Sequence, residues 1–257
     1  MLNFRNVNSM LLVAVVTMIA LHVRFPFSVV YFLIPLAAWG AFVFYGCYNI
    51  GSGFFILIPC EGDRSEKCMA LTFDDGPSAE HTPAILDILK AEGVKATFFC
   101  IGRHVEGNEA MLKRIHEEGH TIGNHSYSHH FFFDLYSRKR MIADVKSFDA
   151  IVHSMLSVTP RMFRPPYGVT NPNVRDVIVE RNYFPVGWNI RSMDTVIHDR
   201  NRLKNRVVSR FAPGAIILLH DSGKVTVDIL RDIVTEAQRH DFRWVTVDQL
   251  LKIKPYV

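Results

Sequence analysis

Two stretches of apolar residues open the chain, and a regular alternation of short apolar runs with amphipathic ones fills the rest. The first stretch, residues 10–23 (MLLVAVVTMIALHV), ends at Arg24; the second, residues 25–45, runs on without a charge. The second is long enough to cross a hydrocarbon core of roughly 30 Å at ~1.5 Å per residue, and aromatics at both its ends suit the membrane boundaries. The first is short for a full span and either crosses with local thinning or lies in the interface. A signal peptide is its competing interpretation, but the only early basic residue is Arg5 and no small-x-small cleavage site follows, which favours retention. If both stretches cross, Arg24 lies in a cytoplasmic turn; if only the second crosses, Arg5 and Arg24 both stay inside. Either way the large C-terminal region faces outward.

Residues 48–53 (YNIGSG) predict a short flexible link, and residues 54–59 an apolar start to the globular part. Strands are expected at 69–73, 96–101, 121–122, 183–188, 215–219 and 244–247. Helices are expected at 82–92 (Thr82 as N-cap, Pro83 in the first turn, Gly93 after the end), 109–118, 137–156, 173–182, 200–211 and 226–239, with a short one at the C-terminus. Strand–helix alternation over nearly 200 residues argues for parallel β/α units, in a number closer to a barrel than to a small open sheet. In such folds chemistry gathers at the C-terminal ends of strands.

Composition narrows the functions. A net charge of +4 without a dense Lys/Arg block makes nucleic acid a poor partner. None of the four cysteines forms a CxxC pair, which argues against a zinc knuckle. Cys60 and Cys68 flank a polar stretch and are expected either to form a disulfide in an oxidising compartment or to stay as two thiols; Cys47 and Cys100 look structural.

Five polar clusters follow in order along the chain, most of them at predicted strand ends. Asp74 and Asp75, in LTFDDGP, close the first strand; an isolated Asp-Gly-Pro is usually a plain turn, but two carboxylates can also divide metal binding and proton transfer between them. His125 and His129, in HSYSH, stand at i and i+4, so on a helical turn both imidazoles could reach one ion; with twelve histidines in the chain, chance pairs are expected too. Arg164 and Tyr167, in RPPYG, sit on a loop stiffened by two prolines, which alone is a rigid turn. Trp188 and Asp194 bound a polar segment after a strand. Last, the apolar run IILLHD ends in His220, suited to a barrel-mouth acid or base and otherwise a strand-end cap.

In this order the five segments resemble the signature blocks of the polysaccharide deacetylase family (NodB-homology, carbohydrate esterase family 4), from about Phe54 to the C-terminus, and TFDDGP together with HSxxH is the specific part. The resemblance implies an α/β fold, a distorted (β/α) barrel of about seven parallel strands, over residues 54–257, behind an N-terminal membrane anchor and link at 1–53. It implies one divalent metal, Zn2+ most often, with Co2+, Mn2+ and Ni2+ as alternatives, held by Asp75, His125 and His129. It makes Asp74 the general base, kept ionised by Arg164, and His220 the general acid, kept protonated by Asp194. The Tyr167 backbone N–H would stabilise the oxyanion, and Trp188 and Leu218 would line the acetyl pocket. The activity implied is hydrolysis of the acetamide of N-acetylated amino sugars in peptidoglycan, another surface polysaccharide or a lipid-linked saccharide, by a membrane-bound protein acting outside the cytoplasm.

Two departures touch the pocket lining: Thr195 follows Asp194 where the family commonly has Trp, and Arg191 stands where many members carry an acidic residue. The other histidines, His81, His104 and His198 among them, are assigned structural or surface positions, and His130 is an unfavoured substitute for His129. A catalytically inactive carbohydrate-binding membrane protein on the same barrel is the alternative; a decayed site should have lost a ligand or His220, and this chain keeps them all. Hydrolysis of a non-sugar amide or an ester would use the same chemistry.

Overall fold

All seven residues of β1 (Cys68–Asp74) are buried, as a strand covered on both faces of a parallel sheet requires. The computed structural model describes residues 2–257 and places β1 at the centre of a curled sheet in which every strand pairing is parallel. The other strands are β2 (Thr97–Cys100), β3 (Thr121–Asn124), β4 (Met162–Phe163), β5 (Phe184–Pro185), β6 (Ile190–Arg191), β7 (Ile216–His220) and β8 (Arg243–Trp244). Their order is β5-β4-β3-β2-β1-β7-β6, with β8 paired to the start of β1. No ladder joins β5 to β6 among the described residues, so the barrel stays open there. The segment leading into β1 packs on that side, with Gly187 N–H donating to Pro59 O at 2.8 Å.

Helices cover the outside through apolar stripes at helical spacing. These are α3 (Thr82–Ala91), α4 (Gly102–Val105), α5 (Glu109–Glu117), α6 (Arg138–Leu156), α7 (Pro172–Glu180), α8 (Arg200–Val208), α9 (Lys224–Arg239) and α10 (Val247–Leu251). On α9 the buried set Thr226, Ile229, Leu230, Ile233, Val234 and Ala237 follows the i, i+3, i+4 rule. Together with Ile85, Leu86 and Leu89 of α3 and the ring pair Phe73–Phe98, it builds the main core.

The N-terminus forms a helical hairpin, α1 (Phe4–Arg24) and α2 (Leu33–Tyr48), with a 3-10 turn at Val29–Phe32. Both arms are long and apolar enough to cross a membrane, and their apolar side chains face outward. The expected flexible link is instead a docked 3-10 turn, Ile50–Ser52, in which Ile50 is buried. Phe54 and Phe55, which follow this turn, pack on Phe4, Val7, Trp39 and Val43 and so hold the hairpin against the chain that leads toward β1. The main chain adds to this: Thr170 N–H donates to Cys47 O and Thr170 Oγ1 to Gly46 O, each at 2.9 Å. Gly46 has to be glycine, because a Cβ there would overlap the Phe54 ring.

Other expectations are corrected. The strand expected at 183–188 is cut to Phe184–Pro185, since Pro185 has no N–H to continue a ladder; a separate strand, Ile190–Arg191, follows. The strand expected at 244–247 stops at Trp244 because Thr246 forms a capping box with Gln249 and starts α10. Strands β4 and β6, two residues each, are too short to show periodicity. Thr82 is the first residue of α3, and its hydroxyl is engaged by Ser78 N–H and by Asp221 instead of capping the helix. All four cysteines are free, so there is no Cys60–Cys68 disulfide: Cys60 Sγ lies against Ile58 O, and Cys68, at the start of β1, has Sγ near Glu66.

Candidate active site

Parallel register carries the polar clusters to one end of the sheet. Asp74 and His220 are direct partners on β1 and β7. Asn124 and Phe163 are partners on β3 and β4, so the residues that follow them, His125 and Arg164, emerge side by side. The resulting cavity, about 230 Å³, is lined by Asp74, Asp75, His125, His129, Tyr167, Trp188, Leu218 and His220 among others. Arg164 and Asp194 lie behind it, buried.

His125 and His129 do not share a helical turn, as their spacing had suggested. They flank an irregular loop in which Ser126 (φ 67°) and His129 (φ 39°) are left-handed. Asp75 (φ 75°) and Tyr167 (φ 61°) are left-handed as well. Non-glycine residues in that region cost on the order of 1–3 kcal/mol each, and such strain concentrates at functional sites. At Asp75 the turn aims the carboxylate at the histidines: its Oδ1 lies 3.4 Å from His129 Nε2 and 3.6 Å from His125 Nε2. Two ligands bound tetrahedrally at ~2.0–2.1 Å from one ion sit about 3.3 Å apart, so these three donors fit a single divalent cation. His125 Nδ1–H donates to Arg164 O at 2.7 Å, which leaves the Nε2 lone pair facing Asp75. Burial, aided by His129, pushes His125 down to about 3, so it is neutral.

The two aspartates have separate surroundings. Asp74 Oδ1 accepts from Arg164 Nη1 at 2.7 Å. Arg164 is fully buried and satisfied: it also donates to Thr72 Oγ1, Val186 O and Gly187 O, and its guanidinium lies 4.1 Å from the Phe99 ring centroid. The expectation that Arg164 lowers the Asp74 pKa holds only in direction. Burial is the larger effect and leaves Asp74 raised above the ordinary carboxylate range, with Arg164 and His220 opposing it. A cation on the Asp75 side would add to the lowering influence.

On the opposite wall His220 Nδ1–H donates to Asp194 Oδ1 at 2.8 Å, and its Nε2 faces Asp75 Oδ2 at 4.0 Å. Burial works against charge on His220, but the hydrogen bond to Asp194 and that carboxylate's charge outweigh it and raise His220 to about 9. Asp194 is correspondingly held below the ordinary carboxylate range: burial opposes, and His220 and Thr226 prevail. It also accepts from His220 N–H, Thr226 Oγ1 and Ser192 Oγ, at 2.7 to 2.9 Å.

Comparison with known proteins gives the same answer. The profile described as "Polysaccharide deacetylase" matches residues 61–186. A peptidoglycan-N-acetylglucosamine deacetylase of Bacillus cereus is 36% identical over 203 residues, which cover 76% of this chain and 92% of that protein. The chain belongs to the polysaccharide deacetylase family. A further relative is the peptidoglycan-N-acetylmuramic acid deacetylase PdaC of Bacillus subtilis, 32% identical over 75% of this chain and 40% of that protein. Among solved structures, the Bc1960 peptidoglycan N-acetylglucosamine deacetylase in complex with a naphthyl-substituted N-hydroxybenzamide superposes with a TM-score of 0.71 at 33% identity, covering 76% of this chain and 93% of that one.

Both departures from the family pattern, Arg191 and Thr195, line the cavity. Residues that motif reading passed over also serve the site. His104, assigned a structural or surface position, donates Nδ1–H to the Asp75 carbonyl at 2.7 Å and so helps to hold that turn. His81 and His198 line a second cavity of about 550 Å³ beside His220. Asp221, next to His220, is buried beneath Gly76 and bonded to Thr82; burial raises it to about 7. Its place in IILLHD was the one available signal. Thr72 lies within TFDDGP and Ser192 within the Trp188–Asp194 segment, but neither was singled out there, and Thr226 lies in no motif, because the role of all three consists only of contacts.

Proposed function

We propose that this protein is a divalent-metal-dependent deacetylase of N-acetylated amino sugars, anchored in a membrane by the α1–α2 hairpin with its catalytic region, residues 54–257, on the outer face. The observation that carries the proposal is the convergence, in one cavity, of the Asp75–His125–His129 donor set with an Arg164-held Asp74 on one side and an Asp194-held His220 on the other. The relatives' printed activities favour peptidoglycan N-acetylglucosamine or N-acetylmuramic acid as the sugar class.

Asp75, His125 and His129 would hold the ion, zinc in the first instance, which supplies Lewis acidity toward the acetamide carbonyl and the attacking water. Asp74 takes the proton from that water, its free Oδ2 turned inward while Arg164 holds Oδ1. The Tyr167 backbone N–H, on the strained turn beside His129, donates to the oxygen that becomes negative as water adds. His220 gives its Nε2 proton to the amine as the C–N bond breaks, and Asp194 stabilises the imidazolium beforehand. Trp188 and Leu218 exclude water around the acetyl methyl. The products are acetate and a free amino sugar.

The test is acetate release by the purified full chain in detergent, on N-acetylglucosamine oligomers and on peptidoglycan fragments. Chelator should abolish it, zinc should restore it, and Asp74→Asn should lower it by about 10²–10⁴-fold. Metal-loaded protein that binds the sugars but releases no acetate would favour the inactive carbohydrate-binding alternative.

A further inference from the structure

The catalytic cavity is not tethered loosely to the hairpin. Thr170, whose backbone and hydroxyl hold the last turn of α2, lies just beyond the segment that carries Arg164 and Tyr167, so the cavity mouth sits at a fixed place beside the end of that helix. The surface around this place is unusually apolar. C-terminal to the hairpin, eight large hydrophobic side chains are exposed among the described residues, and four of them (Phe131, Phe132, Leu135 and Tyr167) belong to this rim. The rings connect them: Phe131 lies 6.4 Å from Tyr167, and Tyr167 lies 4.6 Å from His129. Asn171 ties the loop to α2's docking segment through Asp134 O at 2.6 Å. Clustered apolar exposure of this kind marks a surface that meets lipid or another apolar partner.

A groove of about 510 Å³ runs along the same helix end. Phe44, Tyr45 and Tyr48 of α2 form one wall, and Trp188 and Arg191 form the other. Trp188 and Arg191 also line the catalytic cavity, so groove and cavity share a wall. The exposed Arg191 side chain makes no hydrogen bond or ion pair with any described residue. The carboxylate that reaches the groove wall through Asn189, that of Glu61, is bound by Arg64 at 2.7 and 3.1 Å. An unpaired guanidinium between an aromatic membrane-helix end and an acetamide-cleaving cavity suits an anion placed between a lipid chain and a sugar.

We propose that the substrate is lipid-borne: an N-acetylated amino sugar joined through phosphate to a membrane lipid, with the phosphate at Arg191, the lipid chain against Phe44, Tyr45 and Tyr48, and the acetamide between Asp74 and His220. This rests on the deacetylase function and membrane placement proposed above. Only the amide C–N bond breaks: water adds to the acetyl carbon, acetate leaves, the amine takes the proton, and the phosphate linkage stays intact.

The test uses the full chain reconstituted in phospholipid vesicles and three probes: polyprenyl-diphosphate-linked N-acetylglucosamine in the same vesicles, N-acetylglucosamine 1-phosphate in solution, and a soluble N-acetylglucosamine tetramer. The expected result is a kcat/KM for the lipid-borne probe at least about tenfold above either soluble probe, with Arg191→Ala and Tyr48→Ala each cutting that ratio by about tenfold or more. Equal use of the 1-phosphate would show that phosphate alone is read and would overturn the lipid assignment. A ratio that both variants leave unchanged would overturn the groove. Absence of acetate from every probe with wild-type protein would overturn the deacetylase function itself, a different outcome from release that merely ignores the lipid.

Discussion

Replacing Asp194 with Asn isolates the contribution of one charge to the proposed acid. Asp194 holds His220 through Nδ1 and the backbone N–H, and is itself held by Ser192 and Thr226. Asparagine keeps the volume but removes the charge and turns one acceptor into a donor. The wild-type environment raises His220 from 6.5 to about 9, which corresponds to about 3 kcal/mol favouring the imidazolium, at 1.36 kcal/mol per pH unit. Without that carboxylate the largest influence opposing burial is gone, and the imidazole falls toward its ordinary value, with Asp74 and Asp75 still raising it. A full fall to 6.5 would take the protonated fraction at pH 8 from about nine-tenths to about 3%, a loss of up to roughly 30-fold from protonation alone, while at pH 6 the loss from this source is under about twofold. The assay is the pH dependence of kcat/KM for acetate release between pH 5 and pH 10. The alkaline limb should move from near 9 down toward 6.5. An alkaline limb that stays in place in Asp194→Asn would refute the assignment of His220 as the acid tuned by Asp194. The same pair enters stability: because the folded-state pKa is raised, its contribution is complete below about 6.5 and is lost as pH rises through about 9.

Asp75→Ala and His125→Ala should each lower bound zinc to well below one ion per chain by elemental analysis, whereas Asp74→Asn should retain it; loss of metal from Asp74→Asn would mean that the two aspartates do not divide the work. Gly76→Ala would drive a Cβ into the buried Asp221 carboxylate and should cost about 2 kcal/mol, roughly 4–8 °C in Tm by thermal unfolding; an unchanged Tm would show that Asp221 moves freely. Thiol titration of the denatured, unreduced chain should count four free cysteines, and a count of two would restore the Cys60–Cys68 bridge.

Much was legible from residues alone, for identifiable reasons. Alternating apolar and amphipathic runs determined a parallel β/α sheet, because that pattern has few other ways to bury its stripes. A one-residue step from a buried strand into a polar pair placed Asp74–Asp75 and His220 at strand ends, and the order of the motifs placed the chain among the polysaccharide deacetylases. Strands of two residues carry no period, so β4 and β6 could not be read, and Pro185 and Thr246 ended strands that hydropathy alone extended. What only tertiary structure decided is how the groups face one another. Register across β1 and β7 pairs Asp74 with His220, left-handed turns at Asp75 and His129 aim three donors at one point, and burial outweighs the lowering by Arg164 at Asp74. Tertiary structure likewise turns the supposed flexible link into a docked one and sets α2 beside the cavity mouth. Each of these depends on distances between residues far apart in the chain, and local sequence holds no record of such distances.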